Sequence, residues 1–370
     1  MSDSDTRFMR LALGLAARGL GKVWPNPAVG CVIVSQNRIV GRGCTQPGGR
    51  PHAEAVALAQ AGNAARGATA YVTLEPCAHH GQTPPCADAL IAAGIARVVV
   101  ALKDPDPRVN GGGLTRLRGA GIEVKTDILQ DDAARLQQGF LRRVQQARPM
   151  LTLKLATSFD GRIATATGES QWITGPGARR AVHGLRACHD AVLVGGGTAR
   201  ADDPSLTVRD LGIAHQPVRV VWSRRLDLPL SGKLARSAQD LPLWVCHGAD
   251  AEAGLQQVWS DLGARLFAVP VGAGRQIDPK AALQALADAG LTRVFCEGGG
   301  ALAASLLAAD LVDELVGFTA GLALGAEGQP ALGAMGIDRL GDAPRFDLIE
   351  TRAVGGDAMH IWARQRHSQA

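Results

Sequence analysis

The stretch from His52 to Cys86 constrains this chain more than any other. It opens His52-Ala53-Glu54 and closes Pro76-Cys77-Ala78-His79-His80-Gly81-Gln82-Thr83-Pro84-Pro85-Cys86. One imidazole and two thiolates are three of the four ligands tetrahedral zinc takes, leaving the fourth position for water. Glu54, two residues past His52, adds a carboxylate. Residues two apart on a regular helix point roughly 200° apart, at about 100° per residue. His52 and Glu54 can therefore face one metal only from the entry turn of a helix. Pro51 before the pair and Ala55-Val56-Ala57-Leu58-Ala59-Gln60-Ala61 after it supply that turn.

The competing reading is a closed zinc site that only holds the fold. Structural sites usually pair cysteines as Cys-x2-4-Cys, whereas eight residues separate Cys77 from Cys86. His79 or His80 could supply a fourth ligand, and both also suit a loop. An open site with a glutamate beside it matches zinc-dependent deaminases, where the metal activates water and a non-ligand glutamate shuttles the proton.

The 370 residues are comfortable for two domains. A net charge of +5, with no Lys/Arg run, fits a phosphorylated small molecule as well as nucleic acid or plain solubility. The start, Met1-Ser2-Asp3-Ser4-Asp5, is acidic and unlike a signal peptide. No stretch reaches the roughly 18 apolar residues of a membrane span. The odd count of seven cysteines implies reduced thiols and a cytoplasmic protein. Cys31, Cys44, Cys188, Cys246 and Cys296 are expected to be buried.

In the first half, Phe8–Leu20 has helical spacing. Strands are expected over 28–34, 39–43, 69–75, 97–102 and 122–124, with helices after His52, from Cys86 and near 114–119. This alternation argues a three-layer α/β domain. A polar helical stretch from Asp127 to Arg148 leads to Pro149, giving domains of 1–147 and 148–370. The second half has helices at 177–187 and 301–309 and strands at 150–156, 191–194, 218–222, 243–246, 266–269, 293–296 and 313–319. A closing hairpin makes an α/β sheet with an antiparallel edge. Two strands run into Gly195-Gly196-Gly197-Thr198 and Glu297-Gly298-Gly299-Gly300, turns that can approach a pyrophosphate or simply join strand to helix. Neither fits G-x-G-x-x-G, which disfavours a Rossmann site.

Longer strings carry a resemblance. Pro25-Asn26-Pro27-Ala28-Val29-Gly30-Cys31-Val32-Ile33-Val34, the His52 and Cys77 motifs, Lys154-Leu155-Ala156-Thr157-Ser158-Phe159-Asp160-Gly161-Arg162, Gly168-Glu169-Ser170-Gln171-Trp172-Ile173-Thr174 and Gly197-Thr198-Ala199-Arg200-Ala201-Asp202-Asp203-Pro204 through Arg209 occur in order. Together they resemble the bifunctional riboflavin-biosynthesis deaminase–reductases over about residues 8–365. The resemblance implies a cytidine-deaminase-like α/β/α domain followed by a dihydrofolate-reductase-like α/β domain. It implies zinc on His52, Cys77 and Cys86, Glu54 as proton shuttle, and Asn26 facing a pyrimidine, although Asn26 equally suits a turn between prolines. NADPH would lie against Ala156, Trp172, Thr198, Asp202, Ser223 and Gly299-Gly300-Ala301-Leu302-Ala303-Ala304-Ser305. Ser170, Arg186, Leu206, Arg209 and Glu297 would hold the substrate, the arginines gripping a ribosyl phosphate. Asp202 would orient cofactor or substrate near the reacting carbon. Ser223-Arg224-Arg225 suits either a 2′-phosphate or a solvated turn. Thr45, Gln82 and Trp222 stand where the family more often has histidine, arginine and aspartate.

The implied reactions are deamination at C2 of a diaminopyrimidinone ribosyl phosphate, then hydride transfer from NADPH to C1′ of its ribosyl group. The family also implies a homodimer through the reductase domain. A nucleic-acid or nucleotide deaminase with an accessory domain is the alternative. It would need a basic, aromatic groove, and one tyrosine and seven scattered phenylalanines do not build one. A silent zinc-stapled binding protein would have no need of Glu54.

Overall fold

The computed structural model describes residues 3–79 and 84–365. It divides into two compact units, Met1–Ala147 and Arg148–Ala370.

In the first unit, helix α1 (Asp3–Ala17) precedes the hairpin β1 (Gly30–Ser35) and β2 (Arg38–Cys44). There follow α2 (Ala53–Ala61), β3 (Thr69–Val72), α3 (Cys86–Ala92), β4 (Arg97–Val100), α4 (Gly112–Gly119), β5 (Glu123–Lys125), α5 (Gln130–Leu136) and α6 (Gln138–Gln146). The sheet order is β2-β1-β3-β4-β5, antiparallel around β1 and parallel from β3 to β5.

Two glycines set the layers. A Cβ on Gly30 would lie 1.9 Å from Ala12 O in α1, and one on Gly43 would lie 2.1 Å from Ala53 O in α2. Cys31, next to Gly30, pairs with Gly43. Because side chains alternate along a strand, Gly30 and Gly43 face opposite sides. Helices α1 and α2 therefore press onto opposite faces at backbone contact, which makes the three layers. With both faces covered, β1 and β4 read as continuous apolar runs, and Cys31, Val32, Ile33, Val98, Val99 and Val100 are wholly buried.

The second unit is a nine-stranded sheet built from β6 (Met150–Ser158), α7 (Pro176–Ala187), β8 (Ala191–Gly195), α8 (Gly196–Asp202), β9 (Val218–Trp222), α9 (Lys233–Arg236), β10 (Leu243–Gly248), α10 (Ala253–Asp261), β11 (Arg265–Val269), α11 (Pro279–Asp288), β12 (Arg293–Cys296), α12 (Gly300–Ala308), β13 (Glu314–Ala320), β15 (Phe346–Val354) and β16 (Asp357–Arg364). β7 (Arg162–Ala164) and β14 (Gln329–Pro330) pair separately. The order is β11-β10-β9-β8-β12-β6-β13-β16-β15, parallel up to β13 and antiparallel through the final hairpin. Strand β12 inserts between β8 and β6, so the winding reverses there. In open α/β sheets, ligands sit beyond the carboxyl ends of strands at such a reversal.

The helices α8 to α11 lay outside the sequence expectation, and the 127–148 stretch is two helices rather than one. Two cysteines depart from their expected burial: Cys188 is exposed just past the end of α7, and Cys44 is half-buried at the end of β2.

Candidate active site

In the first unit, His52 caps the N-terminus of α2 with extended backbone angles, and Glu54 lies in the helix's first turn. Cys77 follows β3, and Cys86 opens α3. The backbone N–H of Cys86 donates to Cys77 Sγ at 3.3 Å. His52 Nδ1 lies 3.7 Å from Cys77 Sγ and 3.3 Å from Cys86 Sγ. The three ligand atoms fall within 4.8 Å of one another. In tetrahedral zinc, with bonds of roughly 2.3 Å to sulfur and 2.0 Å to nitrogen, ligand atoms sit about 3.6 Å apart. The donor set and its spacing fit the ion.

Contact with Cys86 lowers the Cys77 thiol to about 4, outweighing its burial, and His52 adds to the effect. The Cys86 thiol is pushed up, first by Cys77 and then by burial. Glu54 is 3% exposed, and burial followed by the nearby Cys77 charge raises its carboxyl to about 7. A carboxyl in that range can both take and return a proton near neutrality.

His52, Glu54 and Cys77 open on a cavity of about 230 Å³ whose lining also includes Asn26, Thr45, Arg50, Glu75, Asp104 and Arg143. Asn26 Nδ2 donates to Gly49 O at 2.9 Å, which fixes the amide against the cavity. The Thr45 hydroxyl accepts from Val29 N and donates to Pro27 O, so it braces the wall. Gln82 and His80 lie outside the described residues. The sequence reading missed Arg50, Arg108 and Arg143, three cations on the lining, and the acidic side chains of Glu75, Asp104 and Asp106. Burial raises Asp104 to about 6.

The second unit gathers most of the remaining residues at the carboxyl ends of β8, β9 and β12. The two glycine turns touch: a Cβ on Gly298 would lie 3.2 Å from Gly195 N. Gly299 N donates to Thr198 Oγ1 at 3.0 Å. Gly299 caps α12, whose residues include Gly300, Ala301, Leu302, Ala303, Ala304 and Ser305. Ala303 and Ala304 are buried, so the part of this stretch suited to an anion is the backbone N–H groups of the first turn. Ala156 lies on β6, and Ser223 Oγ donates to Asp227 Oδ1 at 2.9 Å just past β9. Asp202 is exposed at the end of α8, and Ser170 is exposed as well. Trp172 is 68% exposed, with the Arg179 guanidinium 4.6 Å from its ring centre, and is no core residue.

Three of the expected substrate-grip positions differ in how their side chains are engaged. Arg186 is spent on Glu297, pairing through Nε at 2.5 Å and NH2 at 3.0 Å, while NH1 donates to Thr207 O at 2.7 Å. It therefore orients Glu297 and the 207 loop. Leu206 is buried at 2% exposure, which leaves only its backbone for a ligand. Arg209 is exposed, with NH1 3.2 Å from Thr207 Oγ1. Burial works to raise the Glu297 carboxyl, but the charges of Arg186 and Lys154 hold it below its usual value. Lys154 is itself lowered by burial. Lys154 and His183 complete a cluster whose significance the sequence did not disclose. Arg224 pairs with Asp250 and donates to Arg275 O at 3.3 Å, whereas Arg225 is exposed.

Residues 2–102 match the cytidine and deoxycytidylate deaminase zinc-binding region, and residues 149–360 match the RibD C-terminal domain. The riboflavin biosynthesis protein RibD of Escherichia coli is 43% identical over 96% of this chain and 99% of its own length. The chain belongs to the RibD family. The RibD of Aquifex aeolicus is 39% identical, covering 97% of this chain and 98% of its own. A RibD structure from Acinetobacter baumannii superposes with a TM-score of 0.87 at 39% identity, covering 98% of this chain and 99% of the other. A Thermotoga maritima structure described as a diaminohydroxyphosphoribosylaminopyrimidine deaminase/5-amino-6-(5-phosphoribosylamino)uracil reductase gives 0.85 at 32% identity, covering 98% and 99%. Like other RibD proteins, the chain is a bifunctional enzyme of riboflavin biosynthesis, a hydrolytic deaminase in its first half and a reductase in its second. Zinc and a nicotinamide cofactor accompany those two activities. The nucleic-acid deaminase alternative is not favoured. Among the described residues, no helix is long and apolar enough to cross a membrane.

Proposed function

We propose that the first site removes the C2 amino group of 2,5-diamino-6-(5-phosphoribosylamino)pyrimidin-4(3H)-one and the second reduces the ribosyl group of the resulting 5-amino-6-(5-phosphoribosylamino)uracil to ribityl. The observation that carries the first step is a buried carboxylate, Glu54, in one cavity with His52 and Cys77, two of the three clustered ligands that Cys86 completes. His52, Cys77 and Cys86 hold zinc, which when bound lowers the pKa of a water molecule and makes it a nucleophile at neutral pH. Glu54 accepts the proton as oxygen adds to C2 and returns it to the departing nitrogen. The C–N bond breaks, a carbonyl remains, and ammonia leaves with the balance of protons. Asn26 faces the pyrimidine, and Arg50, Arg108 and Arg143 at the wall favour a phosphorylated substrate.

In the second site the reduced nicotinamide of NADPH supplies the hydride for C1′. Thr198, Ser223, the first turn of α12 and the ends of β6 and β8 hold the cofactor. Glu297 and Lys154 face the ribosyl chain, with Arg186 orienting Glu297 and Asp202 and Arg209 at the mouth. Exposed apolar side chains on the β15 edge and the segment before it, Leu340, Leu348 and Ile349, support a homodimer through this unit. Five thiols besides the two zinc ligands, none of them in a disulfide, suit the cytoplasm.

The test is to incubate zinc-replete protein with the diaminopyrimidinone ribosyl phosphate, following ammonia and NADPH absorbance together. Ammonia released without NADPH, and NADPH oxidised only after deamination, is the expected result. NADPH oxidation that precedes ammonia release would overturn the order.

A further inference from the structure

We infer that Glu75 is a positioning residue for substrate binding in the deaminase site, anchoring the cavity wall formed by residues 104–109. This rests on the deaminase reading above.

Glu75 is 3% exposed and lies two residues before Cys77. Its carboxylate accepts four backbone N–H groups. Oε2 accepts from Asp104 N at 3.3 Å and Gly111 N at 3.1 Å, and Oε1 from Gly113 N at 2.9 Å and Leu114 N at 3.2 Å. Gly113 and Leu114 belong to the first turn of α4, whose N–H groups have no partner within the helix. A negative charge there is also favoured by the helix dipole.

From Glu75 a relay runs outward along the wall. Asp104 Oδ1 accepts from Asp106 N at 2.8 Å, and Asp106 Oδ1 accepts from Arg108 N at 2.9 Å. Both Asp106 oxygens then hold the Arg108 guanidinium, with NH2 to Oδ2 at 2.6 Å. Glu75, Asp104, Asp106 and Arg108 all line the cavity that contains Glu54. A short segment after β3 thus carries a metal ligand at Cys77 and, two residues earlier, the anchor of the facing wall. The approach is close enough to demand glycine at 113, where a Cβ would lie 2.0 Å from Pro76 O.

The obvious variant is Glu75→Gln, which keeps the shape but turns an NH2 group toward two of the four donors. Zinc content and NADPH oxidation on supplied deaminated substrate should stay at wild-type levels. KM for ammonia release should rise about tenfold with kcat within about twofold, because the wall is misplaced in the free enzyme but seated at saturation. Amide exchange at Gly113 and Leu114 should speed up by about tenfold or more. A purely structural role would lower the active fraction, and hence kcat, at unchanged KM.

Gly113→Ala displaces the same turn while leaving the Glu75 carboxylate charged, since its Cβ would fall 2.0 Å from Pro76 O and 3.2 Å from Glu75 Oε1, and should reproduce the KM rise; it decides the matter if Glu75→Gln loses zinc. An unchanged KM in zinc-replete Glu75→Gln, or in Gly113→Ala, would overturn the inference. Wild-type protein that releases no ammonia would instead overturn the deaminase reading, and this inference with it.

Discussion

Asp5 staples the first helix across three strands, and removing its charge should loosen the deaminase unit alone. Its carboxylate is 3% exposed and accepts from Arg97 NH1 and NH2 at 2.9 and 3.0 Å, Lys125 Nζ at 2.8 Å and Tyr71 OH at 3.0 Å. These partners sit on β4, β5 and β3. In Asp5→Asn the oxygen can keep Arg97 NH1 and Tyr71, but the new NH2 faces Arg97 NH2 and Lys125 Nζ. Two charge-assisted bonds, each worth about 1.5–3 kcal/mol, become donor–donor contacts. Arg97 and Lys125 are 23% and 35% exposed, and Arg97 retains Glu123 at 2.8 Å, so water and that partner recover part of the loss. The expected cost is about 2–3 kcal/mol. For a unit near 150 residues, each kcal/mol moves the melting midpoint by about 2–4 °C, giving roughly 5–10 °C in all.

The assay is residual ammonia release after brief heating, with NADPH oxidation in the same samples as the internal standard. The first should fail at the lower temperature in Asp5→Asn and the second should not move. The pH dependence has a definite sign. Arg97 above all, against the opposing effect of burial, holds the Asp5 carboxyl well below the usual carboxylate range. Its contribution is therefore complete above the unfolded pKa of about 3.9 and is lost as pH falls toward the depressed folded value. The gap between wild type and variant should be constant from pH 7 to about 5 and shrink below about 4. A midpoint shift under about 2 °C, or equal shifts in both activities, would show that the Asp5 charge does not hold the first helix to the sheet.

Stripping the metal with a chelator should abolish ammonia release and leave reduction of supplied deaminated substrate intact, with activity restored by one zinc per chain as measured by elemental analysis. Arg186→Lys should weaken the reductase, since one ammonium cannot reproduce the two-pronged contact with Glu297 while reaching Thr207 O. A loss of about tenfold in kcat/KM for the ribosyl substrate, with cofactor KM unchanged, is expected from steady-state rates.

What the sequence disclosed follows from what each feature depends on. His52, Glu54, Cys77 and Cys86 were legible because zinc accepts few donor types and Pro51 marks the helix entry. Central strands such as β1, β4 and β8 were legible because burial on both faces leaves nearly unbroken apolar runs. Asp5 read only as part of an acidic, polar start, since its partners lie 66 to 120 residues away. Glu75 was hidden for a stronger reason: its partners are backbone N–H groups, which every residue but proline carries. Arg186 read as a phosphate ligand because its carboxylate partner is 111 residues distant. By contrast α11 had a local signal, Asp278 before Pro279, and the Asp278 side chain does accept from Ala281 N at 2.9 Å.

The central claim is that one chain carries two separable active sites acting in succession. The most direct measurement is made on Glu54→Gln, assayed for ammonia release from the diaminopyrimidinone ribosyl phosphate and for NADPH oxidation with the deaminated intermediate supplied. Ammonia release should fall by about 10²- to 10⁴-fold, the usual worth of a general acid–base group, while NADPH oxidation stays near wild type. Asp202→Asn should show the reverse. A folded, zinc-replete Glu54→Gln protein that lost both activities, or neither, would contradict the account.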